Sequence, residues 1–120
     1  MENFAFTREE RILVLIFGGA YQGKYEYALK HYNKDRVLDE FHVYILELIK
    51  AGEDPVKYIQ DHREDYRDKV IVCDDISCGV VPVDPLMRKW REAIGYCLNI
   101  LAEESDEVTR MFCGIPTKIK

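Results

Sequence analysis

The sequence predicts an α/β fold, a mostly parallel sheet with helices on both faces and an antiparallel hairpin at the C-terminus. Two observations predict it. Short runs of branched and aromatic residues alternate along the chain with longer segments of helical periodicity. Such alternation is typical of parallel sheets, whose strands are joined by crossover helices. The last two strand-like runs are separated only by Gly114-Ile115-Pro116, so we expect them to pair antiparallel.

Length and composition predict one folded domain over residues 1–120, with residues 1–10 as a loose N-terminal arm. A chain of 120 residues with 48% hydrophobic content is long enough for a single core. No apolar run approaches the roughly 18 residues that span a bilayer. The acidic start is unlike a signal peptide. We therefore expect a cytoplasmic protein that does not bind membranes.

Charge and cysteine spacing argue against two classes of site. The net charge of −5 disfavours nucleic-acid binding, which needs a basic surface, but leaves nucleotide binding open because a local group of donors suffices. The cysteines lack C-x-x-C spacing, which disfavours zinc. We expect buried reduced thiols at Cys73, Cys78, Cys97 and Cys113.

The first strand and the segment after it predict a phosphate-binding loop. Arg11 to Phe17 is almost all branched or aromatic, and an amphipathic helix follows the loop to about Tyr32. Glycines let successive backbone N–H groups point at one anion, while the helix N-terminus and Lys24 add positive charge. We therefore expect a P-loop NTPase-like fold that binds ATP or GTP. The residues expected to bind the nucleotide are Gly18, Gly19, Ala20, Tyr21, Gln22, Gly23, Lys24 and Tyr25.

Tyr25 departs from the usual pattern, which has Ser or Thr at this position. That short hydroxyl normally ligates the Mg²⁺ that bridges the β- and γ-phosphates. A phenol on a rigid ring cannot take the same place, so the loop alone does not predict an intact magnesium site. Tyr25 also falls with Ala28, Leu29 and Tyr32 at helical spacing, which predicts that it packs on one apolar helix face.

The later elements continue the alternation. A turn is expected at Asn33-Lys34-Asp35, and a loop from Ile76 to Val83. Asp54-Pro55 and Asp84-Pro85 each pair an N-cap with a proline at the first helical position. Further strands are expected at Arg36–Asp39, Val70–Cys73, Glu107–Cys113 and Thr117–Lys120. Further helices are expected from Phe41 to about Ala51, from Pro55 into the charged stretch Asp61–Asp68, and from Pro85 to about Glu104.

Two acidic strand ends are expected beside the phosphate loop. Ligands of open parallel sheets bind beyond the carboxyl ends of the strands, where Asp39 and Asp74-Asp75 follow theirs. Carboxylate oxygens suit Mg²⁺. Asp39 and Asp75 are therefore the candidate metal ligands and, with Lys24, the candidate catalytic residues. The alternatives are that Asp39 caps the second helix and that Asp74-Asp75 only begin a turn.

Several separate segments resemble one known family. They are Cys73 to Pro82, Arg88 to Gly95, the glycine-rich loop, and Gly114-Ile115-Pro116. Together they resemble the bifunctional adenosylcobinamide kinase and adenosylcobinamide-phosphate guanylyltransferase of cobalamin biosynthesis. That family carries Asn-Glu-Val-Gly-x-Gly-(Ile/Val)-Val-Pro, then a helix with an Arg-Asp-x-x-Gly core. The matching positions are Gly18, Gly19, Gly23, Lys24, Asp39, Gly79, Val81, Pro82, Arg91 and Gly95.

The resemblance implies an activity and its substrates. Asp75 stands in for the family's glutamate, one methylene shorter, and Asp74 for the neighbouring asparagine. The implied ligands are a purine nucleoside triphosphate and a cobinamide-type substrate, with phosphoryl transfer to a hydroxyl. The family's oligomers imply that this chain also associates with itself.

One segment of the family has no counterpart here. The histidine that the family guanylylates lies between the first helix and the aspartate strand, but only a few residues separate Tyr32 from Arg36. His31, His42 and His62 are expected to be surface residues on helices. We therefore expect guanylyl transfer to be lost. Three functions remain open: a cobinamide-type kinase, a non-catalytic nucleotide-binding regulator, or a remnant that binds stray phosphate.

Overall fold

The computed structural model describes residues 12–120, so the arm predicted at residues 1–10 lies outside the described residues. The strands are β1 (Val14–Gly18), β2 (Val37–Leu38), β3 (Val70–Asp74), β4 (Glu107–Phe112) and β5 (Ile115–Lys118). The α-helices are α1 (Lys24–His31), α2 (Phe41–Lys50), α3 (Pro55–Asp61) and α4 (Pro85–Glu104). Short 3₁₀ helices cover Lys34–Arg36 and Arg63–Tyr66. No helix within this range is long and apolar enough to cross a membrane.

The five strands form one sheet in the order β2-β3-β1-β4-β5. Each neighbouring pair is parallel except β4 and β5, which are antiparallel. The predicted α/β fold with a mostly parallel sheet and a C-terminal hairpin is therefore confirmed. β1 lies at the centre, so its last residue, Gly18, pairs with Asp74 on one side and Met111 on the other.

Both faces of the sheet are covered, which explains why β1 and β3 consist of continuous hydrophobic runs. Alternate residues of a strand point to opposite faces. On one face, Leu15 and Ile71 pack in a core with residues of α2, α3 and α4. On the other face, Ile16 and Val72 pack with Ala28 of α1. The helices thus lie on both faces, as the sequence predicts.

The two Asp-Pro pairs begin helices as predicted. The carboxylate of Asp54 accepts the N–H of Val56 at 3.1 Å, and Pro55 is the first residue of α3. Asp84 accepts the N–H of Leu86 at 2.8 Å at the start of α4. A side-chain cap of this kind stabilises a helix by about 1 kcal/mol.

Three predicted boundaries were wrong. The strand predicted from Arg11 begins, within the described residues, at Val14. α3 does not continue into the charged stretch but ends at Asp61, and a 3₁₀ helix then buries Tyr66. The last strand begins at Ile115 rather than Thr117. Cys113 and Gly114 both have positive φ, 52° and 76°, and form the two-residue turn that antiparallel strands favour.

Two packing predictions also needed correction. Leu29 was expected on the apolar face of α1 but is 39% exposed, while Tyr27 and Tyr32 pack against the core beside Ala28. All four cysteines are free, but only Cys73 and Cys97 are buried. Cys78 and Cys113 lie on exposed loop positions that hydrophobicity alone does not identify.

Candidate active site

The phosphate loop (Gly18–Lys24) connects the end of β1 to the start of α1 at the carboxyl edge of the sheet. Gly18 has φ 155°, and a Cβ there would collide with the carbonyl oxygen of Met111 on β4. Gly23 has φ 87° and is the N-cap of α1. Both positions therefore require glycine, because their backbone conformations are strained for other residues.

The N-terminus of α1 lies at the end of the phosphate loop. Gly23 provides no side-chain cap, so the first-turn N–H groups have no side-chain acceptor from the cap. These groups and the helix dipole favour negative charge at this point. The side-chain oxygen of Gln22 accepts the N–H of Cys113, which ties the loop to the turn between β4 and β5.

Lys24 is the first residue of α1, and its side chain is only 6% exposed. Its Nζ donates to the carbonyl oxygen of Gly19 at 2.5 Å, which closes the loop on itself. The same Nζ lies 2.7 Å from Oδ1 of Asp74. An ammonium group has three donors, and these contacts account for two of them.

Asp74, rather than Asp75, is the carboxylate that contacts Lys24. Asp74 is the last residue of β3 and pairs with Gly18 across the sheet. The resemblance had matched Asp74 only to a neighbouring asparagine. The two-residue period of a β-strand could have separated the roles of Asp74 and Asp75, because consecutive residues of a strand point in opposite directions. Of the two carboxylates, that of Asp74 is the one within contact distance of Lys24.

His42 was predicted to be a surface residue, and this was wrong. Its side chain is 13% exposed. Nδ1 accepts the backbone N–H of Asp74 at 3.0 Å, and Nε2 lies 3.4 Å from Oδ2 of the same residue. Because Nδ1 is the acceptor in this hydrogen bond, we assign the ring proton to Nε2, where it faces the carboxylate of Asp74. Trp90 donates its indole N–H to the carbonyl oxygen of His42 at 2.7 Å and stacks beside the ring.

Asp75 organises the segment after β3, which we name the post-β3 loop (Asp75–Val83). Its Oδ1 accepts the backbone N–H of Ser77 at 3.0 Å and the Ser77 hydroxyl at 2.5 Å. The thiol of Cys78 donates to Oδ2 at 3.4 Å. The N–H of Asp75 donates to the carbonyl oxygen of Gly18 at 2.8 Å, so the post-β3 loop lies against the phosphate loop. These are the contacts expected of an aspartate that begins a turn.

Asp39 lies at the same edge of the sheet, but β3 separates its strand from β1. Its Oδ1 accepts the N–H of Glu40 at 2.8 Å. The N-cap of α2 is Glu40, with φ 54° and no side-chain cap, so Asp39 does not cap the helix. Among residues 12–120, no group of three or more His, Cys, Asp or Glu side chains is placed to hold a metal ion.

A protein-family model described as cobinamide kinase / cobinamide phosphate guanyltransferase matches residues 49–119, which is more than half of the chain. The chain belongs to this family. Membership supports a role in cobalamin biosynthesis related to kinase and guanylyltransferase chemistry, as the resemblance implied. A comparison with curated proteins found no match.

The family match covers only part of the site. It includes Asp74, Asp75 and the segment of α4 that carries Arg91 and Gly95. It begins after the phosphate loop, Asp39 and His42. The case for phosphate binding in the N-terminal part therefore depends on the geometry of the loop itself.

Proposed function

We propose that this family member binds the phosphates of ATP or GTP in the phosphate loop and transfers the γ-phosphoryl group to a hydroxyl of a cobinamide-type substrate. The observation that carries the proposal is the position of Lys24. Its ammonium group is held between Gly19 and Asp74 at the N-terminus of an uncapped helix. A fixed positive charge beside a set of backbone N–H groups is the arrangement that triphosphate binding needs.

Lys24 and the loop amides form the binding half of the proposed site. The third N–H of Lys24 would donate to a phosphate oxygen, with Asp74 and Gly19 fixing the direction of the side chain. The nucleotide-binding set is Gly18, Gly19, Ala20, Tyr21, Gln22, Gly23, Lys24 and Tyr25. During transfer, charge develops on the phosphoryl oxygens, and a positive group already in position stabilises it without reorganisation.

Asp39 and Asp75 form the proposed acidic half. In phosphoryl-transfer sites, Mg²⁺ is commonly bound by one or two carboxylates, and phosphates and waters complete its coordination shell. The carboxylates of Asp39 and Asp75, at the carboxyl edge of the sheet, therefore suit this ion as donors. When bound, Mg²⁺ would neutralise charge on the β- and γ-phosphates. Asp75, which adjoins Gly18 through a backbone hydrogen bond, would orient the acceptor hydroxyl and take its proton. The hydroxyl oxygen bonds to the γ-phosphorus as the bond to the β–γ bridging oxygen breaks.

Calorimetric titration with ATP and with GTP, with and without Mg²⁺, tests the binding half. Lys24→Ala removes a charge-assisted contact and should cost on the order of 1.5–3 kcal/mol of nucleotide affinity, about tenfold or more in Kd. Lys30→Ala is the matched control, because Lys30 is an exposed residue of the last turn of the same helix. Equal affinity of the Lys24 variant and the unmodified protein would exclude the proposed role of the loop.

A non-catalytic nucleotide-binding regulator is the second candidate, and Tyr25 favours it. Tyr25 replaces the hydroxyl that usually ligates Mg²⁺. Incubation with γ-labelled ATP or GTP, Mg²⁺ and adenosylcobinamide separates the two functions. Label transferred to the corrinoid supports the kinase, whereas tight nucleotide binding with no transferred label supports the regulator.

Loss of guanylyl transfer forms part of the proposal. A histidine nucleophile needs a free lone pair beside the phosphate. The Nδ1 lone pair of His42 accepts the Asp74 N–H, and its Nε2–H faces the Asp74 carboxylate. Incubation with α-labelled GTP and Mg²⁺ should leave no acid-labile label on the protein. Stoichiometric labelling that disappears in His42→Ala, or in His31→Ala, would contradict this.

A further inference from the structure

A cavity lies between the post-β3 loop and α4, with a volume of about 460 Å³. We propose that it binds an oxyanion group, a phosphate monoester or a carboxylate, of a ligand other than the anion of the phosphate loop. The side chains that carry the argument are Ser77 from the loop and Arg88, Arg91, Tyr96 and Asn99 from the helix. None of the residues from Gly18 to Tyr25 lines this cavity.

Two arginines join the helix to the loop and form the wall of the cavity. Arg91 Nη2 donates to the carbonyl oxygen of Gly79 at 3.2 Å, and Arg88 Nη1 donates to that of Val83 at 2.7 Å. The loop approaches the helix closely at Gly95, where a Cβ would lie 3.4 Å from Cβ of Ser77. The cavity is therefore a built feature of the fold, held by hydrogen bonds from α4 to the middle and to the end of the loop.

The charges of the cavity favour an anion. It is lined by two guanidinium groups and one carboxylate, that of Glu92. Each guanidinium has five N–H donors in a fork that matches an oxyanion. The buried Nε–H of Arg91 has no hydrogen-bond acceptor within residues 12–120. A buried donor without an acceptor is costly, and a negative charge held close to this guanidinium would offset part of that cost.

The other side chains suit an organic ligand that carries the oxyanion. The hydroxyl of Ser77 and the amide of Asn99 can each hydrogen-bond a polar group. Tyr96 and Val81 are 56% exposed each and provide apolar surface for the body of the ligand. Because Ser77 also donates to the carboxylate of Asp75, the post-β3 loop connects this cavity to the phosphate loop.

Calorimetry with simple probes tests the proposal in the full chain without nucleotide. The probes are phenyl phosphate and benzoate, with phenol as the uncharged control. The titrations use the Lys24→Ala protein, which weakens binding in the phosphate loop. Adding Arg91→Gln should weaken oxyanion binding by about tenfold, as expected for a lost charge-assisted pair, and Arg88→Gln should also weaken it. Lys89→Gln is the matched control, since it removes one positive charge from the same helix outside the cavity.

The outcomes separate the two ligand sources and the two proposals. Preference for phenyl phosphate identifies a phosphate ligand, and preference for benzoate identifies a carboxylate; either supports the cavity. Phenol binding as tightly as both anions, binding of neither anion, or equal losses in the Lys89 and Arg91 variants would overturn it. Circular dichroism establishes that each variant is folded, and Arg88→Gln provides the test if Arg91→Gln unfolds. Because no nucleotide is present, failure here leaves the proposed function standing.

Discussion

At the scale of single residues, the direction of Lys24 depends on Asp74, and the direction of Asp74 depends on His42. The imidazole holds both the backbone N–H and the carboxylate of Asp74. The carboxylate in turn lies 2.7 Å from the ammonium of Lys24. His42 is therefore a positioning residue for the charge at the phosphate loop, although it touches no part of that loop among the contacts described.

Replacing His42 should destabilise the protein, because Asp74 loses the side chain that holds it in position. In His42→Ala the half-buried N–H of Asp74 loses its acceptor, so the free energy of unfolding should fall by about 1–3 kcal/mol. His31→Ala, at an exposed position on α1, should change it by no more than about 0.5 kcal/mol. Urea unfolding of both variants measures the difference. Equal stabilities would show that the His42 contacts do not hold Asp74.

The sequence identifies Gly18, Gly23 and Lys24 because their pattern is local and each has its own physical reason. Asp74 and His42 are 32 positions apart, and nothing local shows that α2 packs against the end of β3. His42 was therefore interpreted as a solvated helix residue. The roles of Asp39 and Asp75 as metal ligands stay predictions, since their described contacts are backbone, hydroxyl and thiol groups.

At the scale of elements, the phosphate loop owes its shape to the strands on both sides of β1. Gly18 pairs with Asp74 of β3 and Met111 of β4, and Gln22 reaches the turn after β4. The N-caps Asp54 and Asp84 of α3 and α4 were predictable, because a side-chain cap and the N–H groups it accepts lie within four residues of each other. The end of α3 was not, since burial of Tyr66 against Phe41 is a tertiary contact.

Gly18→Ala should destabilise the protein much more than Gly19→Ala. A Cβ at position 18 would strike the carbonyl oxygen of Met111, and φ 155° is strained for alanine. A Cβ at position 19 meets only Cγ of Gln22, at an ordinary 3.6 Å. We expect a difference of about 1–3 kcal/mol in the free energy of unfolding. Urea titration measures it, and matching curves would contradict the close packing of β1 on β4.

At the scale of the whole molecule, the core holds ionisable groups in their neutral forms. Burial raises the pKa of the Cys97 thiol to about 12. Burial, with the Asp74 charge second, raises the pKa of Cys73 above its usual range. Burial, followed by the hydrogen bond to Glu107, likewise raises the pKa of Tyr32. All three groups ionise more readily in the unfolded chain, so high pH favours unfolding.

Stability should therefore fall as pH rises. The unfolded Cys97 thiol loses its proton from about pH 9.0, whereas the folded one keeps it to about pH 12. The free energy of unfolding should decrease across that window by about 1.4 kcal/mol per pH unit for this thiol. Cys97→Ala should reduce the slope by that amount, whatever its cost at pH 7, and Cys113→Ala should not. Urea unfolding from pH 7 to 10.5 measures both slopes; identical slopes in the two variants would refute the assignment.

The central position of β1 has a consequence for the order in which the chain becomes functional. The phosphate loop precedes α4 in the chain, whereas one of the two strands that shape it, β4, and the turn that holds Gln22 follow α4. A nascent chain that ends after α4 still lacks the Met111 carbonyl, which lies against Gly18, and the Cys113 N–H, which donates to the Gln22 side chain. We therefore expect the phosphate loop to reach its folded shape only after the β4–β5 hairpin has left the ribosome, so a chain cut short before β4 would carry the motif without that shape.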